Sequence, residues 1–184
     1  MGYAEGTINI ALAPLMPAVG ARPATAGLLI ALLSLASAAG GFAYAAFSGH
    51  LPGDTDQRAN VTLLALGLCA ILIAVAPSLI FLTLAVAACG IWFAPLNAMR
   101  TLILGKLLPA SQLSEGFSTL SAAMQMGYGA SGIATGAVLG IWGARGCFII
   151  AAAITVASAL GAWLHHHSKG SQDAQPSEPP ESHQ

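Results

Sequence analysis

The sequence predicts an all-α membrane protein with six transmembrane helices. Only 7% of its 184 residues are charged and 56% are hydrophobic, and the mean hydropathy is +0.75. An ordinary soluble domain carries about 25% charged residues, which its surface needs. The apolar residues also fall into six stretches long enough to cross a bilayer, which takes about 20 residues.

Short polar or turn-forming segments separate these stretches. "GARPA" (20–24) and "GARG" (143–146) are tight turns, Pro77 divides the third stretch from the fourth, and longer loops follow the second and fourth stretches. Residues 1–167 are therefore the membrane domain, and the polar residues 168–184 are predicted to be a disordered cytoplasmic tail. The predicted spans are residues 3–19, 24–47, 60–76, 78–104, 117–142 and 147–166.

The basic residues predict the orientation of these spans. With six spans both termini lie on one side, which also holds the two longer loops. The other side carries only Arg22 and Arg145. Since cytoplasmic loops are enriched in Lys and Arg, both termini are expected in the cytoplasm. The basic residues on the terminal side are Arg58, Arg100, Lys106 and Lys169.

Several other classes of protein find no support in the sequence. The net charge of −1 provides no basic field for a nucleic acid. Cys69, Cys89 and Cys147 lie far apart inside apolar runs, as buried reduced thiols do. No nucleotide-binding, metal-binding or nucleophile motif is present. We therefore expect a protein surrounded by lipid, with no enzymatic activity, cofactor, metal or nucleic-acid partner.

The fifth stretch contains "GYGASGIATGAVLG", in which glycines recur at steps of three and four. On a helix they form one stripe without side chains. Glycine lowers helix stability in water, but in lipid small residues allow helices to pack closely. The stripe is therefore predicted to be a contact face, either within one bundle or as a sliding surface of a moving transporter. It consists of Gly129, Gly132, Gly136 and Gly140.

A few polar or aromatic residues inside the spans are candidates for a substrate path, because intramembrane polar groups rarely face lipid. Glu5 is the only carboxylate in a predicted span and is a candidate proton relay; the alternative is a solvated position near the cytoplasmic end. The candidates are Glu5, Asn9, Tyr44, Trp92, Asn97, Ser121, Gln125 and Tyr128.

The order of these features resembles the C-terminal six-helix half of a major facilitator superfamily transporter. "GIWFAPLNAMR" resembles the tenth helix of that family, and the glycine-rich stretch resembles the eleventh, whose glycines face the other half. Gly49 and Arg58 match the ends of the family's G-x-L-A-D-R-x-G-R-R loop signature, with Asp54 one place after its acidic position. Among the subfamilies, drug and sugar efflux permeases look most similar.

The resemblance implies a secondary transporter that moves a small organic molecule by alternating access, as a proton-coupled efflux antiporter of the bacterial inner membrane. Such transporters hold the substrate between two six-helix halves. The expected partners are thus lipid, a small-molecule substrate, and an N-terminal six-helix half or a second copy. The alternative function is a six-span packing or regulatory module that pairs with a partner half and transports nothing.

Overall fold

The protein is described by a computed structural model that covers residues 2–50 and 53–173, with side chains through residue 164. All regular structure within these residues is helical. The helices are α1 (Gly2–Leu15), α2 (Thr25–Phe47), α3 (Thr55–Ala74), α4 (Leu79–Leu107) and α5 (Leu113–Asp173), with short 3-10 turns at Met16–Val19, Ser48–His50 and Ala110–Gln112.

Helix ends follow local sequence. Gly20, at φ 74°, ends the turn after α1, and the N–H of Ala21 donates to the carbonyl oxygen of Met16 at 3.0 Å. Ser78 caps α4 by accepting from the N–H of Phe81 at 3.4 Å. The third helix starts at Thr55, before the predicted span that begins near residue 60. Asp56 lies in its first turn, where an acidic side chain is favourable because of the helix dipole.

The longest helix, α5, is interrupted at Gly143, whose φ of 68° and ψ of −176° are not helical. The thiol of Cys147 lies 3.6 Å from the carbonyl oxygen of Thr135. In a straight helix residues this far apart in sequence would be separated by about 18 Å. The chain therefore folds back, and α5 is a hairpin of a first arm (residues 113–142) and a second arm (residues 144–173), which turn where the sequence contains "GARG".

Four helices are long and apolar enough to cross a membrane, counted over the residues described above. One of them, the stretch Ala110–Leu164, is 55 residues long and contains the break at Gly143. Helix α1 has 14 residues and is shorter than that criterion. The all-helical fold is thus confirmed for the described residues, whereas six spans remain a prediction. The helical backbone runs to Asp173, beyond the expected start of the tail at residue 168, and residues 174–184 lie outside the described chain.

Helices α2 and α4 approach each other through glycines. A methyl group on Gly40 would overlap the carbonyl oxygen of Ile91. One on Gly90 would lie 2.5 Å from the carbonyl oxygen of Leu33 and 2.9 Å from the Cβ of Ala36. Since lipid provides no hydrophobic drive for helix association, this close backbone contact is what holds the pair together.

The remaining helices pair with the two arms of α5. Gly2 and Gly6 of α1 form a G-x-x-x-G pair, and methyl groups there would overlap the carbonyl oxygen of Met124 and the hydroxyl of Ser131 on the first arm. Helix α3 packs on the second arm, where Gly67 faces the side chain of Val156. The bundle is therefore built from three close helix pairs, joined mainly through α3 and α4.

The largest fully buried side chains concentrate toward one end of the bundle, the end at which Gly143 turns. Leu12, Met16, Ile73, Leu82 and Phe148 belong to one apolar cluster there. At the same end the guanidinium of Arg145 donates to the carbonyl oxygen of Ala76 at 3.1 Å. At the opposite end the ammonium of Lys106 lies 3.4 Å from the hydroxyl of Thr55.

Replacing Gly40 with alanine is expected to destabilise the protein by about 1–3 kcal/mol, because the added methyl group would force α2 away from α4. Gly27→Ala is the matched control on the same helix, since a Cβ there would meet no atom within 4 Å. The measurement is the unfolding midpoint of each purified variant in detergent. Equal midpoints for the two variants would contradict the backbone contact.

Candidate functional site

Helices α1, α2 and α4 leave a cleft between them with a volume of about 300 Å³. This is the lower end of the range typical of small-molecule sites. No described side chain of α3 or α5 lines it. The lining residues are Glu5, Asn9, Ile30, Leu33, Ser34, Ser37, Phe93 and Asn97.

The cleft lies at mid-height of the bundle. Ser37 is close to the middle of α2, and Phe93 is the middle residue of α4. Gly6 packs against Tyr128 and Ser131, close to the middle of the first arm of α5, so the adjacent Glu5 lies at the same height. Glu5 therefore lies near the middle of the first arm rather than at either of its ends.

Two polar side chains of the cleft are fixed by their own helices. The amide nitrogen of Asn9 donates to the carbonyl oxygen of Glu5 at 3.0 Å. The hydroxyl of Ser34 donates to the carbonyl oxygen of Ile30 at 3.0 Å. Within the described chain the half-buried carboxylate of Glu5 has no hydrogen bond or ion pair. The cleft thus combines a carboxylate that is available to a ligand with polar groups held in fixed positions.

Three of the eight candidates from the sequence come together in this cleft, namely Glu5, Asn9 and Asn97. The other five do not line it. Tyr44 is half-buried, and four others are exposed side chains of α4 or of the first arm: Trp92, Ser121, Gln125 and Tyr128.

The candidates from the sequence did not include Ser34, Ser37 or Phe93. One available indication was the helical spacing of Ile30, Leu33, Ser34 and Ser37, which puts them on one side of α2. Phe93 resembles any other apolar residue of its span, so only the packing of α4 identifies it as part of the cleft wall.

The predicted glycine stripe is largely unoccupied. A Cβ on Gly129, Gly136 or Gly140 would meet no atom of the described chain within 4 Å, and one on Gly132 would meet only the Cδ1 of Ile10 at 3.5 Å. Packing within this bundle therefore does not account for the stripe, and the face it forms is open.

The residues of the predicted loop signature lie where α2 passes into α3. Gly49 is in the 3-10 turn Ser48–His50, and Asp54 is the exposed, extended residue before α3. The guanidinium of Arg58 donates to the carbonyl oxygen of Ser48 at 2.9 Å. Arg58 thus ties the first turn of α3 to the end of α2.

A family model described as Major Facilitator Superfamily matches residues 1–183. The chain belongs to this superfamily. Separate comparisons with curated proteins and with solved structures find no match.

Membership of the Major Facilitator Superfamily indicates an integral membrane protein that transports small molecules. Proteins of this superfamily are transporters rather than enzymes. In such transporters the substrate site lies near the bilayer midplane, between repeated helical units. The cleft between α1, α2 and α4 lies at the middle of α2 and α4 and contains the only carboxylate of α1.

If the cleft is open to water, Ser34→Cys will react with a water-soluble, membrane-impermeant methanethiosulfonate, because only the hydrated thiolate is reactive. The matched control is Leu35→Cys, since Leu35 is the next residue of α2 and is 69% exposed on its apolar face. Both variants are made in a background in which Cys69, Cys89 and Cys147 are alanine. Labelling is followed by mass spectrometry. Equal labelling of the two positions would contradict an aqueous cleft.

Proposed function

We infer that the chain is one six-span half of a secondary transporter that moves a small organic molecule by alternating access, and that the cleft is its part of the substrate path. The observation that carries this proposal is the position of the cleft at mid-height of α2 and α4, where polar groups are costly unless they serve a ligand or ion. Tyr44, Trp92, Ser121, Gln125 and Tyr128 are proposed to line the path beyond the cleft.

The proposed energy source is a proton gradient, with Glu5 as the proton-carrying group. A carboxylate that lines a mid-height cleft without a partner in the described chain can bind a proton in one state and release it in another. In the drug and sugar efflux permeases that the sequence resembles, this exchange would be an antiport. The proposed location is a bacterial inner membrane, with both termini in the cytoplasm.

The open glycine stripe supports the proposal of a partner half. Gly129, Gly136 and Gly140 have space around them that another helix could fill, and small residues are common at helix contacts in membranes. The partner is an N-terminal six-helix half or a second copy of this chain. A packing module without transport is less well supported, because it gives no reason for a partnerless carboxylate at mid-height.

Glu5→Gln is expected to abolish transport, because glutamine keeps the shape of the side chain but cannot exchange a proton. The matched control is Glu115→Gln, since Glu115 is exposed at the start of α5 and away from the cleft. Cells expressing the full chain or each variant are compared by mass-spectrometric profiling of small molecules in the cytosol and medium, with and without a protonophore.

We expect at least one compound whose ratio between cytosol and medium is changed to the same extent by the wild-type chain and by Glu115→Gln. With Glu5→Gln, or with the protonophore, this ratio should return to that of cells without the protein. A compound that Glu5→Gln still transports would contradict the role of this carboxylate.

Gly136→Leu tests the partner face. A Cβ there would meet no atom of the described chain within 4 Å, so the unfolding midpoint should be unchanged, whereas association with the partner half or second copy should weaken. Ala153→Leu, at an exposed position of the second arm, is the control. The measurement is the mass of the detergent-solubilised complex by light scattering. An unchanged mass for Gly136→Leu would contradict a contact role for the stripe.

A further inference from the structure

We propose that the cleft between α1, α2 and α4 selects a small organic cation with N–H donors, namely a primary or secondary ammonium or a guanidinium attached to a compact apolar group. This inference rests on the proposed function, in which the cleft is part of the substrate path. It follows from the charge of the lining residues, from their remaining hydrogen-bonding capacity, and from the wall opposite the polar groups.

The charge of the cleft is negative. Among the described residues, Glu5 is the one ionisable residue that lines the cleft, and no basic side chain lines it. Arg100, which follows Asn97 by about one turn on α4, is not part of the lining and forms no ion pair with Glu5. An anion would meet this carboxylate without a compensating charge, whereas a cation would neutralise it away from bulk water, where charge pairing is strongest.

The hydrogen-bonding capacity that remains in the cleft is mostly that of acceptors. The backbone carbonyl oxygen of Glu5 can only accept a hydrogen bond, so it is the amide nitrogen of Asn9 that donates to it. The Oδ1 atom of Asn9 is therefore left as an acceptor for a ligand. The hydroxyl of Ser34 donates its proton to the carbonyl oxygen of Ile30, so the Oγ atom of Ser34 can act towards a ligand only as an acceptor. Together with the two carboxylate oxygens of Glu5, these acceptors match a group with several N–H donors.

The rest of the wall is apolar. Phe93, Ile30 and Leu33 line the cleft beside the polar groups, and Phe93 is 6% exposed. An aromatic ring can attract a cation over its face, and aliphatic side chains accommodate a hydrocarbon group. The volume of about 300 Å³ limits the ligand to a compact molecule.

A lipid headgroup could also supply an ammonium group, but the height of the cleft argues against it. The hydrocarbon core of a bilayer is about 30 Å thick, so headgroups lie about 15 Å from the midplane. The cleft lies at the middle of α2 and α4. The expected ligand is therefore a free small molecule.

The test uses Ser37→Cys in the full chain, with its three native cysteines replaced by alanine, and two methanethiosulfonates of similar size and opposite charge. The ratio of the labelling rates of the ethyltrimethylammonium and ethylsulfonate reagents is measured with Glu5 present and in the Glu5→Gln background. We expect this ratio to fall by about tenfold when the carboxylate is removed, because the position and both reagents stay the same and only the charge changes.

A protection experiment tests the requirement for donors. 2-Phenylethylammonium should slow labelling of Ser37→Cys by an uncharged maleimide, whereas its trimethylammonium analogue should protect less and 3-phenylpropanoate not at all. Glu5→Gln should remove the protection. The same titration in nanodiscs with and without phosphatidylethanolamine reports any competition from a headgroup.

The outcomes separate the inference from the proposed function. If Ser37→Cys reacts with neither reagent, the aqueous cleft, and with it the proposed function, is wrong. If both reagents react but Glu5→Gln leaves the ratio unchanged, or 3-phenylpropanoate protects as well as the ammonium, the cleft is a path that does not select cations and the inference is overturned. Loss of protection in phosphatidylethanolamine nanodiscs alone would identify the headgroup as the ligand.

Discussion

The fold depends on how closely helices can approach each other when hydrocarbon surrounds them. Backbone polar groups are satisfied inside each helix, and burying apolar side chains against a neighbour gains little over burying them in lipid. Association therefore relies on van der Waals contact, which is greatest where a side chain is missing. Gly40 and Gly90 bring α2 against α4, and Gly2 and Gly6 bring α1 against the first arm of α5.

These close pairs also explain the cleft. Helix α1 is held mainly by the first arm of α5 and α2 mainly by α4, so α1 and α2 make few contacts with each other. The gap between the two pairs lies where their facing residues are polar, such as Asn9 on α1 and Ser34 on α2. Toward the Gly143 end the gap is filled by the apolar cluster around Leu12 and Phe148. Because each of these helices packs mainly on its own partner, the cleft remains between the two pairs.

Composition alone was enough to predict helices in a membrane, because few charges and long apolar stretches have no other stable arrangement. The turn at Gly143 was also predictable, since "GARG" interrupts a stretch too long for one span. What the sequence could not provide is which faces meet. Four regularly spaced glycines from Gly129 to Gly140 were more prominent than the pairs Gly2–Gly6 and Gly40–Gly90, but the latter make the close contacts.

The candidate site was predictable to the extent that polar residues are rare in the spans. Glu5, Asn9 and Asn97 were noticed for that reason, and they share the cleft. The height of Glu5 could not be deduced, because it depends on the register of α1 against the first arm, which Gly6 and Ser131 fix. Ser37 could not be singled out because serine is common in membrane helices. Only the packing of the neighbouring helices shows that it lines the cleft.

The contrast between interlocked and open surfaces has a mechanical consequence. A unit that must move against a partner cannot be joined to it by the overlapping backbone contacts that hold α2 to α4, because separating them would disrupt many contacts at once. A stripe without side chains, such as Gly129, Gly136 and Gly140, offers a smooth surface on which another helix can shift with little steric resistance. Glycine thus occurs in two settings in this chain: between two closely fitted helices, which it holds together, and on an open face, where the proposed partner half would meet it.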